Sequence, residues 1–328
     1  MPIQRWPGPP GTDKAGHPPV PNLTVPMLAA TLGLLVVALA WGSVIPAINY
    51  LLPVWDPFFL AAIRYLLGAP VFVLLLGMFE RGPFVPKSLP RWRLWLLGGV
   101  GVGLFAPLYT LGVALANPVM AAIVGSCGPI VAAIVARVCF SIPLDRSTFP
   151  AIGLALIGGS LAAWSPQPGG YSLGLRGGEA LMLLATACWA WYSIAAQRWL
   201  HGMSQLSITG LTMVPGAVVL LAMYLLLAMA GLSSMPPMPP RDALDIGVLG
   251  WVVLASVVLG VFLWNYGVRH VGVVIASLYM NLVPVIAVGI LAALGTPPTW
   301  TEIVGGLLVV TGVAYVQLRQ AGARKRAA

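Results

Sequence analysis

Residues 112–133 read GVALANPVMAAIVGSCGPIVAA, and 155 positions later residues 267–288 read GVRHVGVVIASLYMNLVPVIAV. The matched positions include Gly112 with Gly267, Val119 with Val274, Ala121 with Ala276, Pro129 with Pro284 and Ala132 with Ala287. In each copy a short polar or Gly/Pro turn separates two apolar runs, and a proline lies inside the second. Proline in a helix interior removes a backbone donor and loosens the helix. A membrane tolerates this where neighbouring helices or a wet cavity satisfy the freed carbonyl. Interruptions at matching places in two halves point to the central site of a transporter. Pro129 and Pro284 are therefore expected to be flex points, one in each half.

The composition agrees with a membrane setting. The 328 residues are 59% apolar and 8% charged, where a soluble domain carries about 25% charged residues. A net charge of +9 raises the question of nucleic acid. The basic residues fall in short loops and at the C-terminus instead of on one solvated face, which argues against that partner. Cys127, Cys139 and Cys188 all lie in apolar runs, so no disulfide framework is implied.

A spanning helix needs about 20 apolar residues. Ten runs qualify or come close: 26–48, 58–79, 92–114, 118–140, 149–165, 177–199, 206–230, 246–268, 272–294 and 301–318. The expected organisation is a proline-rich disordered tail (1–25), a first five-helix repeat (26–165), an outer linker (166–176), a second repeat (177–318) and a basic tail (319–328). With both termini in the cytoplasm, the inner segments hold Arg5, Lys14, Arg81, Lys87, Arg91, Arg93, Arg137, Arg146, Arg198, Arg269, Arg319, Arg324, Lys325 and Arg326. The outer loops hold only Arg176 and Arg241. That asymmetry sets the orientation, and one miscounted span would destroy it. Five spans per half place the second copy upside down, the arrangement from which alternating access is built. The fold class expected is an all-α membrane protein of ten helices in two inverted five-helix repeats.

Further residues carry a resemblance. The first span holds Ala40-Trp41-Gly42-Ser43. The second opens Asp56-Pro57-Phe58 and continues Ala62-Ile63-Arg64-Tyr65. The fourth and ninth carry an apolar-Pro-apolar core, and the fifth and tenth are marked by Gly153, Gly159, Gly306 and Gly312. In that order these features resemble the EamA-type members of the drug/metabolite transporter superfamily, and among them the YddG-type amino-acid exporters. The likeness runs over about residues 27–318. It implies export of amino acids, often aromatic, or of related small metabolites across the inner membrane.

Arg64 is the one ionisable residue well inside a span. An arginine there costs about 2.5–3.5 kcal/mol even on a lenient scale, so it should face a cavity or a partner. Holding a substrate carboxylate and locking the fold through helix-end carbonyls are both open. Trp41, Tyr109, Trp189, Trp264 and Tyr279 also fall within spans, where they form either packing or an aromatic wall. Tyr109 and Trp264 are repeat mates. Asn265 and Asn281 need partners in a dry core, which a polar cavity would provide. Together with Ser43 these make the candidate substrate-binding set.

Other chemistries lack the residues they need. Gly98-Gly99-Val100-Gly101-Val102-Gly103 has a dinucleotide-like spacing but no preceding strand, so Gly99 and Gly103 read as a close-packing face. No Walker A lysine occurs, and no cofactor or metal is expected. His17, His201 and His270 lie in a tail and in loops, and carboxylates avoid span centres, so an enzyme is not expected. The same lack of mid-span carboxylates suggests uniport-like transport. Proton-coupled drug or nucleotide-sugar-like transport, a passive channel and a non-transporting assembly protein are the alternatives.

Overall fold

The computed structural model describes residues 24–80, 85, 89–115, 124–143, 149–162, 177–234, 238–295 and 299–327. Among them the ordered elements are all helical. Helix α1 is Thr24–Leu51 and α2 is Pro57–Phe79. The α2 start is fixed by its sequence, since the Asp56 carboxylate accepts from Phe58 N–H and Phe59 N–H and Pro57 supplies a helical φ. Helix α3 begins as Arg91–Gly98, loosens into a π segment over Gly99–Leu104 and resumes as Phe105–Leu115. Helices α4 (Gly128–Phe140) and α5 (Phe149–Ala162) complete the first half.

The second half opens with α6 (Gly178–Trp199) and α7 (Gln205–Met229), the latter capped by Ser204. Helix α8 runs as Ala243–Val252, a π segment Val253–Val261 and Phe262–Val271. Gly272, at φ 81°, turns the chain into α9 in a conformation that a side chain would strain. Helix α9 is itself divided, as Val273–Met280 and Leu282–Ala293, and α10 is Trp300–Ala327. Shifting residues 99–104 by the repeat offset of 155 gives 254–259, so the two π segments occupy matching places.

Among the described residues seven helices are long and apolar enough to cross a membrane, and Gly128–Phe140, Phe149–Leu161 and Trp300–Tyr315 are shorter apolar helices. The expected fourth span, 118–140, is described only from 124, and the first hairpin turn (116–118) lies outside the described residues. The two prolines occupy matching places, but at the start of a helical segment and not in a helix interior. Pro129 is in the first turn of α4, after a break at Cys127, and Pro284 is in the first turn after the break at Asn281. First-turn amides have no intrahelical acceptor, so neither proline removes a helix hydrogen bond. The discontinuity lies two residues earlier in α4 and three residues earlier in α9.

The packing pairs α1 with α8 and α9, α6 with α3 and α4, α2 with α7 and α8, α3 with α7, α4 with α9, and α5 with α10. Exchanging the first five helices for the second five leaves this set of pairs unchanged. Glycines allow the closest approaches. A methyl at Gly98 would lie against Thr212 O and 2.6 Å from Gly216 N, and one at Gly158 would lie 2.7 Å from Gly305 O and Val309 N. Thus α3 meets α7, and α5 meets α10, backbone to backbone.

Candidate functional site

The centre of the molecule is a cluster of rings drawn from both halves. Trp41 on α1 stacks on Trp264 of α8 at 5.9 Å and meets Trp189 of α6 edge-on at 6.0 Å. Trp189 in turn lies 5.9 Å from Trp264, 5.4 Å from Tyr192 and 5.2 Å from Phe105 of α3, which stacks on Tyr109 at 5.7 Å. The π segments make room for these rings. Trp41 Nε1 donates to Ser256 O inside the second π segment at 3.0 Å, and its ring occupies the space a side chain at Gly260 would need. On the other side, Tyr192 fills the space over Gly101 in the first π segment. The first helix of each half therefore drives an aromatic wedge against a glycine in the π segment of the other half. Glycine is required there because any Cβ would collide with the ring.

The candidate residues separate by exposure. Trp264 and Tyr279 are 1% exposed, Asn281 4% and Asn265 0%. These are core positions. Asn265 ties three helices together: its Nδ2 donates to Tyr192 Oη (3.2 Å) and Thr209 Oγ1 (3.0 Å), while Tyr192 Oη and Thr212 Oγ1 lie 3.0 Å apart. Asn265 thus sits in a buried polar knot between α6, α7 and α8, in which its Oδ1 has no hydrogen-bond partner among the described residues. Trp264 Nε1 likewise donates to buried Ser193 Oγ at 2.9 Å. Asn281 stands at the break in α9, and its Nδ2 has no hydrogen-bond partner among the described residues. Ser43 points elsewhere: its hydroxyl donates to Ala40 O and accepts from Trp251 Nε1, away from the rings.

Trp41, Trp189 and Arg64 are half-buried, and Tyr109 is 40% exposed. Tyr109 and Trp264, mates by the repeat, thus have different surroundings. Arg64 lies 6.0 Å from the ring of Tyr65, which packs in the same cluster as Tyr192, Trp189, Trp41 and Phe105. Its Nε is buried, with no hydrogen-bond partner among the described residues.

Two polar regions lie at opposite ends of α2. At the Asp56 end, the carboxylate that caps α2 also accepts from Ser233 Oγ (2.8 Å) and Ser234 Oγ (2.7 Å), just beyond α7. Burial alone would push the Asp56 carboxyl up, but these bonds and those from Phe59 and Phe58 outweigh it and hold the group below its ordinary value. Trp55 Nε1 donates to Met238 O at 2.7 Å, and Arg241 forms a two-pronged ion pair with buried Asp245 (2.7 and 3.1 Å). At the far end of α2, Glu80 is hydrogen-bonded to Ser204, the cap of α7. Each of the paired helices α2 and α7 therefore has its N-terminal cap tied to the residues that follow the other.

The Glu80 end also holds a cavity of about 890 Å³ between the ends of α4, α6 and α8 and the start of α9. Its walls are mainly apolar, and Arg198, His201 and Arg269 are among its lining residues. Arg198 Nη2 donates to Phe140 O and Arg269 Nη1 to Met203 O, each at 3.1 Å.

The chain and its fold have relatives. The model of the EamA-like transporter family matches residues 28–164 and again 176–318. A protein of Bacillus subtilis (strain 168) named uncharacterized transporter YyaM is 30% identical over 286 residues, covering 83% of this chain and 88% of its own. Uncharacterized transporter YrdR, of the same organism, is 24% identical over 295 residues, covering 87% of this chain and 90% of its own. A solved crystal structure superposes with a TM-score of 0.69 over 89% of this chain and 97% of its own, at 18% identity, which speaks for the fold alone.

Proposed function

This chain belongs to the EamA-like transporter family, and from that premise we propose that it exports amino-acid-like solutes, neutral or aromatic, by alternating access. In this reading ten spans form two inverted repeats with both termini in the cytoplasm of a bacterial inner membrane. The exchangeable pairing of helices, the matched π segments and the reciprocal caps of α2 and α7 support the repeat. The charge asymmetry along the sequence supports the orientation, with the Glu80 end inside.

The observation that carries the reading is Arg64. A guanidinium within an apolar span, with a buried nitrogen lacking an acceptor, is costly to hold. A carboxylate reaching Arg64 would accept from it directly. Trp41, Trp189 and Tyr109 offer ring faces and edges to the apolar part of the same solute. Trp264 and Tyr279 pack with Trp41 and Trp189 from behind, and Asn265 holds Tyr192 beside them. Transport runs down the solute gradient, because no Asp, Glu or His stands at a span centre to carry a coupled proton.

Flux into proteoliposomes tests this. Arg64→Ala should lower transport of a carboxylate-bearing aromatic amino acid by about tenfold to a hundredfold, the worth of one charged hydrogen bond. Transport of the corresponding decarboxylated amine should fall much less, with the melting temperature unchanged. Equal loss of both, with a lower melting temperature, would assign Arg64 to the fold. Uphill accumulation driven only by an imposed pH gradient would overturn the uniport reading.

A further inference from the structure

We infer that the 890 Å³ cavity at the Glu80 end is a binding site for an anionic amphiphile, with a carboxylate or phosphate meeting Arg198 and Arg269 and an apolar body between α4, α6 and α8. Three observations converge. The first is uncompensated charge. The ion pair found among the described residues is Arg241–Asp245, at the opposite end, and Glu80 is engaged with Ser204. Neither Arg198 nor Arg269 meets a carboxylate among the described residues. Asp145, in the connection from α4 to α5, lies outside them.

The second is orientation. Arg198 is held by Phe140 O, and Arg269 by Met203 O and by the side-chain amide oxygen of Gln205, both at Nη1. A guanidinium has five donors, so these bonds fix each group and leave other donors for a ligand. Arg198 also lies 5.1 Å from the ring of Phe140, which lines the same cavity. The third is the wall. Ala133, Ala136, Ile152, Ile194, Ile208 and Val268 give an apolar surface directly beneath the two charges. Positive loops that only set membrane topology need no such cavity, and low-dielectric walls strengthen the field of charges at its rim. A bare anion would leave the wall uncovered, and a neutral hydrophobe would leave the arginines unmet.

Under the transport reading this is where a solute is captured before it reaches Arg64. The site rests on that reading only for the direction of travel. The same chemistry is offered by a soluble organic acid and by an anionic lipid headgroup.

Indole-3-acetate and tryptamine share a ring and differ in charge, so they serve as probes. Binding is measured by tryptophan-independent scintillation proximity to labelled probe, on the full chain in nanodiscs of phosphatidylcholine. Indole-3-acetate should bind, weaken with added salt, and bind far more tightly than tryptamine. Replacing both arginines (Arg198→Gln with Arg269→Gln) should reduce its affinity about tenfold or more. The pair Arg198→Lys with Arg269→Lys should retain most of it, which guards against misfolding as the cause. In discs containing phosphatidylglycerol, displacement of the probe identifies a lipid headgroup as the resident anion; undiminished binding identifies a soluble acid. Equal binding of both probes, no binding of either, or a glutamine pair that binds like the unaltered protein would overturn the inference. Arg64→Ala should leave this binding intact, and probe binding by the unaltered protein with no flux of any amino-acid-like solute would count against the transport reading alone.

Discussion

The first turns of α8 are held from several sides, whereas its last turn stands over open space. In the first half of α8, Val252 and Ala255, the latter at the head of the π segment, pack with Ala40, Val44 and Leu51 of α1, with Trp55 and with Leu60 of α2. Around that apolar seal run the Trp55–Met238, Asp56–Ser233 and Arg241–Asp245 contacts. At the other end, Val268, Arg269 and Val271 border the cavity. Between them lies the π segment, whose looser hydrogen bonding often marks functional sites. One helix thus joins a fixed end to an open one through a softened middle. If α8 moves during transport, the fixed end is the part that must release, and its interactions can be removed one layer at a time.

The largest effect is expected from the apolar layer. Trp55 is 5% exposed and fills the junction of α1, α2 and α8. Trp55→Ala should lower stability by about 3–5 kcal/mol, as for other buried large-to-small changes. Trp55→Phe keeps most of the packing and should lose about 1 kcal/mol, the worth of the bond to Met238 O. A cysteine replacing Ser43, beside Trp251, reports the opening: its alkylation should be faster in Trp55→Ala than in Trp55→Phe. Equal rates would mean that the seal at the start of α8 does not control access to that region.

The polar layer should matter less and should depend on pH. Asp56 has a carboxyl held below its ordinary value, so it favours the native junction throughout the neutral range. That contribution is complete above about pH 4, the ordinary carboxylate value, and is lost as the pH falls through the lower native value. Ser233→Ala with Ser234→Ala removes the bonds to α7 while leaving the cap on Phe58 and Phe59. The paired variant should label faster at neutral pH, and its labelling should change less on acidification than that of the unaltered protein. An unchanged acid response would place the pH sensitivity elsewhere than Asp56.

Much of this architecture was legible in the residues. The apolar runs anticipate the helices, and the run read as 58–79 falls one residue inside the start of α2, which Asp56-Pro57 sets. The aromatic set was readable as types, since tryptophans inside spans must pack against something. What no spacing rule reveals is the partner. Trp41 and Trp189 meet Trp264 only because α1 and α6 converge on α8 in three dimensions. Ser43, two residues from Trp41, turns to Trp251 because successive helix positions point about 100° apart. The π segments were hidden for a related reason. Gly98, Gly99, Gly101 and Gly103 signal close packing, but the change of helix type follows from rings contributed by the opposite half. Tyr192, Thr209 and Thr212 escaped the candidate list because a buried polar knot is recognised only when its members are seen together.

The smallest effect is expected from the prolines, which a sequence reading makes the hinges. Pro129 and Pro284 each lie in the first turn of a half-helix, where an amide would find no intrahelical acceptor. Alanine at either place restores a donor that the helix does not use, so Pro129→Ala and Pro284→Ala should change stability by no more than about 1 kcal/mol. The breaks themselves, at Cys127 and Asn281, are where bending is least resisted. Asn281 has a buried Nδ2 without a partner among the described residues, so Asn281→Ala removes an unmet donor and favours a continuous α9. A cysteine at Val274, on the cavity wall, would report the consequence at the open end of α8. Asn281→Ala should alter its labelling rate more than Pro284→Ala does, and Pro129→Ala should shift it in the opposite sense to Pro284→Ala if the halves are inverted. A Pro284→Ala effect as large as that of Asn281→Ala would return the flex point to the proline. Shifts of the same sign from both prolines would count against an inverted pair of hinges.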